Sequence, residues 1–233
     1  MRTNFLVYLA AMLIGCSQQH KETLPNPADA KQRIIHIKQM HGIEELTYLN
    51  RDDVEKIAQV QKEIYFIISD LVRKYNTRTV YLEGAQDEKL YRTPDSAAHY
   101  AQFFWNREMI RLNKARLISD TEVVETARSL DDYLHGESST LSTLAYYPGG
   151  AYLLMLERKI TVRPVEQPGV TDAESREDLF VWRIAKDKEP NAIATLGASH
   201  SISDNVERHN KQHPNWLIAV TEIVPNTFVK NHR

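Results

Sequence analysis

The chain is poor in cysteine, in net charge and in long apolar runs. Its 233 residues include one cysteine, Cys16, so no internal disulfide can form. Lysine and arginine number 29 against 31 acidic residues, a formal net charge of −2. With no basic excess and no Lys/Arg run to track phosphates, a nucleic-acid partner is not expected. After residue 20 no apolar run approaches the roughly 20 residues that cross a bilayer. Internal repeats and low-complexity segments are also lacking. What remains, 42% hydrophobic and 26% charged residues, is the composition of one ordinary globular domain.

The place of the single cysteine says more than its number. Met1 to Cys16 reads MRTNFLVYLAAMLIGC. Arg2, the apolar stretch from Phe5 to Ile14 and the closing Leu13-Ile14-Gly15-Cys16 make a secretory signal. Its end resembles a bacterial lipobox. That resemblance implies cleavage before Cys16, lipidation of the Cys16 sulfur, and anchoring in the cell envelope. With Ser17 next, the expected address is the outer membrane, facing the periplasm. Residues 1–15 are then a signal peptide, the polar stretch 16–32 a flexible tether, and 33–233 a single domain.

Apolar spacing predicts the elements of that domain. Arg33 to His41 reads as a strand carried by Ile34, Ile35 and Ile37. Asp52 and Asp53 open a helix, their charge suiting its positive end. Val54, Ile57, Val60, Ile64, Ile67, Ile68 and Leu71 continue it at helical spacing to Tyr75. A second strand covers 78–84. Residues 86–147 hold no clear strand and read as a helical insertion covering one end of the sheet. Its aromatics, Tyr100 to Trp105, could wall a ligand pocket, but helical spacing favours core. A third strand, 160–165, contains Pro164 and suits an edge. A helix over 171–188, a strand at 192–196, a helix from Asp204 and a last strand, 216–224, complete the pattern. The order is βαβ, helices, βαβαβ: an α/β fold with a largely parallel central sheet flanked by helices.

In such a sheet the carboxyl ends of the strands share one edge, where open α/β folds bind ligands. Four strands here end in a group able to move a proton or bind a metal: His41, Glu83, Glu166 and His200. Gly197 is expected to turn the backbone before His200, with Ser201 or Ser203 capping the next helix. A carboxylate after Val80-Tyr81-Leu82 needs a partner if buried; an arginine such as Arg107 or Arg111 would serve. Two imidazoles and one or two carboxylates suit Zn, Mn, Fe or Co as divalent ions, or metal-free acid–base work. His36 is expected in the packing, and His209 and His213 at the surface.

His41, the strand end at Leu82-Glu83 and the late Gly197-Ala198-Ser199-His200 resemble the Tiki/TraB superfamily, which includes ChaN-like and erythromycin-esterase-like proteins. The resemblance covers about residues 33–225 and implies a hydrolase of a peptide, ester or amide. Catalytic and metal-binding roles would fall to His41, Glu83 and His200, with Gln39, Glu166 and Gly197 beside them. The early motif departs from the family: Lys38-Gln39-Met40-His41 keeps the histidine but has Lys38 for glycine and Gln39 for the acid. Gln39 can hydrogen-bond but cannot act as a base. The alternative is therefore a lipoprotein that binds a small molecule or peptide, haem or a metal without turnover. The oligomeric state is left open by the sequence.

Overall fold

The computed structural model describes residues 19–21, 29–39, 49–85, 93–166, 172–197 and 199–227. Its strands are β1 (Gln19–Lys21), β2 (Gln32–Gln39), β3 (Thr79–Leu82), β4 (Thr161–Pro164), β5 (Asn191–Gly197) and β6 (Ile218–Val224). They form one sheet in the order β1-β6-β2-β5-β3-β4. Strands β2 to β6 are parallel, and β1 pairs antiparallel with β6 at one edge. The α/β fold with its largely parallel sheet follows the sequence pattern. The short β1 lies inside the stretch expected to be a tether.

The helices are α1 (Arg51–Tyr75), α2 (Pro94–Lys114), α3 (Asp120–Leu134), α4 (Gly150–Leu156), α5 (Ala173–Asp187) and α6 (Ser203–Gln212). Local chemistry sets their ends. Asn50 and Asp53 close a capping box at the start of α1, and Arg73 and Lys74 sit in its last turn. Thr93 with Ser96, and Ser119 with Glu122, do the same for α2 and α3. The start of α6 departs from expectation: Ile202 is its cap residue, and no side chain accepts there.

Alternation along the strands sorts the core into two layers. Ile35, Ile37, Val80, Leu82, Val162 and Ile193 face α1 and α4. Ile34, Tyr81, Ala192, Ala194, Leu196 and Val220 face α5 and α6. The apolar stripe of α1 is fully buried on the first side. Each such aliphatic side chain contributes about 1.5–3 kcal/mol. Helix α4 comes unusually close to α1. A Cβ on Gly150 would stand 2.4 Å from the Gln61 carbonyl oxygen and 2.6 Å from the Tyr65 nitrogen. Gly150 N–H also donates to Gln61 Oε1 at 2.9 Å.

The insertion packs mainly on these two helices and meets the sheet along β4. Trp105 and Met109 are core, and the Trp105 indole donates to the Ala145 carbonyl at 3.0 Å. Phe104 stacks on Tyr152 at 4.2 Å and carries the Arg107 guanidinium 4.5 Å from its centroid. Strand β4 is an edge strand, as Pro164 requires.

The strand order fixes what can meet. The chain leaves β2, passes over β5's place to β3, and steps to β4. It then returns to fill the gap with β5 before crossing β2 to β6. The carboxyl ends of β2, β5, β3 and β4 therefore stand in a row. Register aligns Gln39 with Gly197, and Leu82 with both Thr195 and Pro164.

Candidate functional site

Glu83 is the first residue past β3. Its own N–H donates to the Thr195 carbonyl at 3.2 Å, which prolongs the β3–β5 ladder and fixes where the side chain starts. The carboxylate is buried, 9% exposed. Among the described residues it accepts from three places. The Gly197 backbone N–H donates to Oε2. Arg176 Nη2 donates to Oε1 at 2.9 Å, and His200 Nε2 stands 3.0 Å from the same oxygen. The partner for this buried charge is thus Arg176 of α5, and not Arg107 or Arg111. Those two instead hold Glu108 on α2, at 3.0 and 2.8 Å.

Gly197 is the last residue of β5. His200 N–H donates back to the Gly197 carbonyl at 3.0 Å, which brings the imidazole over the ends of β5 and β3.

His200 is 7% exposed and held at both ring nitrogens. Nε2 faces Glu83, and Nδ1 lies 3.1 Å from Glu177 Oε1. Ionised carboxylates only accept, so the two contacts favour a ring that carries a proton on each nitrogen, the imidazolium. The hydrogen bond to Glu83 is the main cause that raises its pKa; burial opposes it, and the charges of Glu83 and Glu177 add. The Phe180 ring meets the imidazole edge-on at 5.4 Å and shields it from water. Glu177 Oε1 also accepts from Ser201 N–H at 3.2 Å, which pins the loop that carries the histidine.

Glu166, just past β4, accepts from Gly84 N–H at 2.9 Å and from Arg176. Arg176 therefore bridges the carboxylates that end β3 and β4. Its guanidinium lies 6.0 Å from the Phe180 centroid, one turn on along α5. Gln39 is buried at the end of β2, and its amide nitrogen donates to the Thr195 carbonyl at 3.4 Å. A carboxylate in its place could not make that bond. His41 lies outside the described residues.

The strand ends thus bring Glu83, Glu166, Gly197 and His200 together, with Gln39 one strand away. Arg176, Glu177 and Phe180 were not singled out by the sequence. A signal for them exists: α5 leaves β4 at the carboxyl edge, so charges in its first two turns must lie over that edge.

A second polar set lies on the α5–α6 side of β2 and β6. His36 is fully buried, as expected, with Nδ1 3.4 Å from Glu222 Oε1. Lys38 Nζ is 3.5 Å from Glu222 Oε2. Burial pushes the Glu222 carboxyl up, but the His36 contact and the Lys38 charge more than offset it, and the group ends below its usual value. His209 is not the surface residue expected: its Nε2 is buried without a hydrogen-bond partner, and burial lowers its pKa.

For a divalent metal the described site offers His200 Nε2 and Glu83 Oε1. Arg176 already holds that oxygen with a positive charge, and Glu177 holds the other ring nitrogen. A cation at that oxygen would stand beside the guanidinium; His41, the third expected ligand, lies outside the described residues. Among the described residues no group of three His, Cys, Asp or Glu side chains is placed to hold an ion.

In class, this is an α/β domain with a buried glutamate–histidine–glutamate cluster at the carboxyl edge of its sheet. No family model, no curated protein and no solved structure matches the chain.

Proposed function

We propose that the protein is a lipid-anchored hydrolase of the cell envelope, acting on an ester, amide or peptide bond by metal-free proton transfer at His200. The observation that carries this reading is the imidazolium shared between Glu83 and Glu177. A general acid must hold a proton near neutrality and be kept in one orientation, and the raised pKa and the two clamps supply both. In the reaction, Glu83 takes a proton from the attacking water as its oxygen bonds to the carbonyl carbon, and His200 then gives its Nε2 proton to the leaving group as that bond breaks. The proton on Glu83 passes back to Nε2, and Glu177 keeps the ring in register through Nδ1. Arg176, 28% exposed at its side chain, faces the developing oxyanion as the nearest cation.

The experiment is a pH–rate profile on a panel of nitrophenyl esters and peptide anilides. His200→Ala and Glu83→Gln should each lower kcat by about 10²–10⁴-fold. Activity that survives both changes overturns the reading. Elemental analysis of the active protein with one equivalent of zinc, manganese, iron or cobalt would replace the shared proton with a metal. For the anchor, Cys16→Ser should abolish palmitate incorporation and release the protein from the membrane fraction. Among the described residues no helix is long and apolar enough to cross a membrane.

A further inference from the structure

Far from His200, at the amino edge of the sheet, three chain segments close around a groove of about 370 Å³. They are the last turns of α1, the link into β3 at Asn76 to Arg78, and the link from α4 into β4 at Arg158 to Ile160. Val72, Leu154 and Ile160 line it with aliphatic surface. The remaining lining carries Arg73, Arg78, Arg158 and Lys159, with the neutral side chains Ser69, Asn76 and Thr77, and no carboxylate.

The basic residues at the end of α1 have an ordinary explanation, because cations suit a helix carboxyl terminus. That accounts for Arg73. It also covers Arg158 and Lys159, which close the carboxyl end of α4, but it does not account for Arg78, which precedes β3. Three of the four cations have carboxylate partners outside the groove: Arg73 with Asp70 at 2.8 Å, Arg158 with Asp95 at 2.8 Å and Lys159 with Glu157 at 3.1 Å. Two of these pairs are solvent-exposed on both sides, where an ion pair is worth at most about 1 kcal/mol. A ligand with more charge can redirect them. Among the described residues Arg78 has no ion-pair partner. Its backbone is nevertheless fixed, since its carbonyl accepts from Thr161 N–H at 2.8 Å. Its exposed guanidinium is open to an anion.

We propose that this groove binds a small phosphate-bearing molecule. Arginine forks match phosphate oxygens in pairs, and the hydroxyl and amide groups at Ser69, Asn76 and Thr77 can complete the oxygen shell. The aliphatic lining takes a short apolar body next to the phosphate. The volume falls within the roughly 300–1,000 Å³ of small-molecule sites. Convergence of four cations in a chain of net charge −2 concentrates positive potential where an anion would otherwise be repelled. The phosphate could belong to a free ester or to a lipid headgroup, and the two are separable by experiment.

The full chain is titrated with glycerol phosphate and pyrophosphate by calorimetry, and separately floated with phosphatidylcholine vesicles with and without phosphatidylglycerol. Arg78→Ala and Arg73→Ala remove donors without touching the core. Each should weaken binding about tenfold, the worth of one charge-assisted hydrogen bond. Binding of the soluble phosphates that falls in both variants identifies a free ester as the source. No soluble binding, but phosphatidylglycerol-dependent flotation that falls in both variants, identifies a headgroup. No binding in either arm, or binding that both variants retain while melting like the parent, overturns the proposal. Hydrolysis of esters at His200 is measured alongside and should not change in either variant.

Discussion

Replacing Glu83 by glutamine tests the relay at its centre. The wild-type carboxylate serves Gly197 N–H on one oxygen, and Arg176 and His200 on the other. Glutamine keeps the shape but has one oxygen and one NH₂ group. The backbone N–H of Gly197 cannot move, so the amide oxygen stays with it and the NH₂ group turns to His200. Nε2 must then accept, and the ring can no longer be an imidazolium. Exchanging a charge-assisted bond for a neutral one loses about 1–2 kcal/mol. The His200 pKa should therefore fall from its raised value, since the Glu83 hydrogen bond is the main cause that raises it. The pH dependence of stability has a definite sign. A histidine whose folded pKa is raised stabilises fully below 6.5, and that contribution is lost as pH rises through the folded value. The Glu83→Gln penalty should thus be about 2–3 kcal/mol one unit below 6.5 and smaller two units above it. Imidazole NMR titration reads the pKa, and urea melts at the two pH values read the stability. A wild-type His200 that titrates at or below 6.5, or one unmoved by Glu83→Gln, refutes the clamp.

Other perturbations reach other parts of the same frame. Arg176→Ala removes the bridge between Glu83 and Glu166 and should cost about 1–3 kcal/mol at neutral pH, partly recovered in acid as the carboxylates take up protons; chemical melts across pH decide it. Gly150→Ala forces a methyl against the α1 backbone and should destabilise by about 1–3 kcal/mol or more, while an unchanged midpoint would mean the two helices part at no cost. Glu222 has a folded pKa below its ordinary 4.5, so its contribution is present above 4.5 and lost as pH falls through the folded value; Glu222→Gln should flatten that acid limb of the stability curve, read by thermal melts in a pH series.

The helices are legible in the sequence because each is specified twice, by an apolar period and by local caps. Asn50 to Tyr75 carries both, and its observed start falls one residue from the expected one. The strands are legible as apolar runs, and Pro164 places β4 at an edge before any pairing is known. The start of α6 is not legible. Serines at 201 and 203 offer a cap by type, yet Ser201 N–H is drawn to Glu177, so tertiary contacts set that turn. Nor does local chemistry foretell that residues 19–21 pair with β6, because a three-residue strand has no period to read.

The site divides along the same line. Glu83, Glu166 and His200 stand at strand ends, and the parallel sheet alone makes them neighbours. Their chemistry is set by residues that no strand end announces. Whether His200 is an acid, a base or a metal ligand depends on what meets Nδ1 and Nε2, and one of those partners is Glu177, on a helix 23 residues earlier in the chain. Whether Glu83 can take a cation depends on Arg176 at the same oxygen. Both side chains sit early in α5, and α5 begins over the carboxyl edge because it leaves β4 there. The metal expectation is built from donor types in the strands, whereas Arg176 and Glu177, which meet those donors, come from the crossover helix. A reading of strand ends in an open α/β sheet needs the first two turns of each following helix beside it, since those turns hold the charges that decide between a proton and a metal.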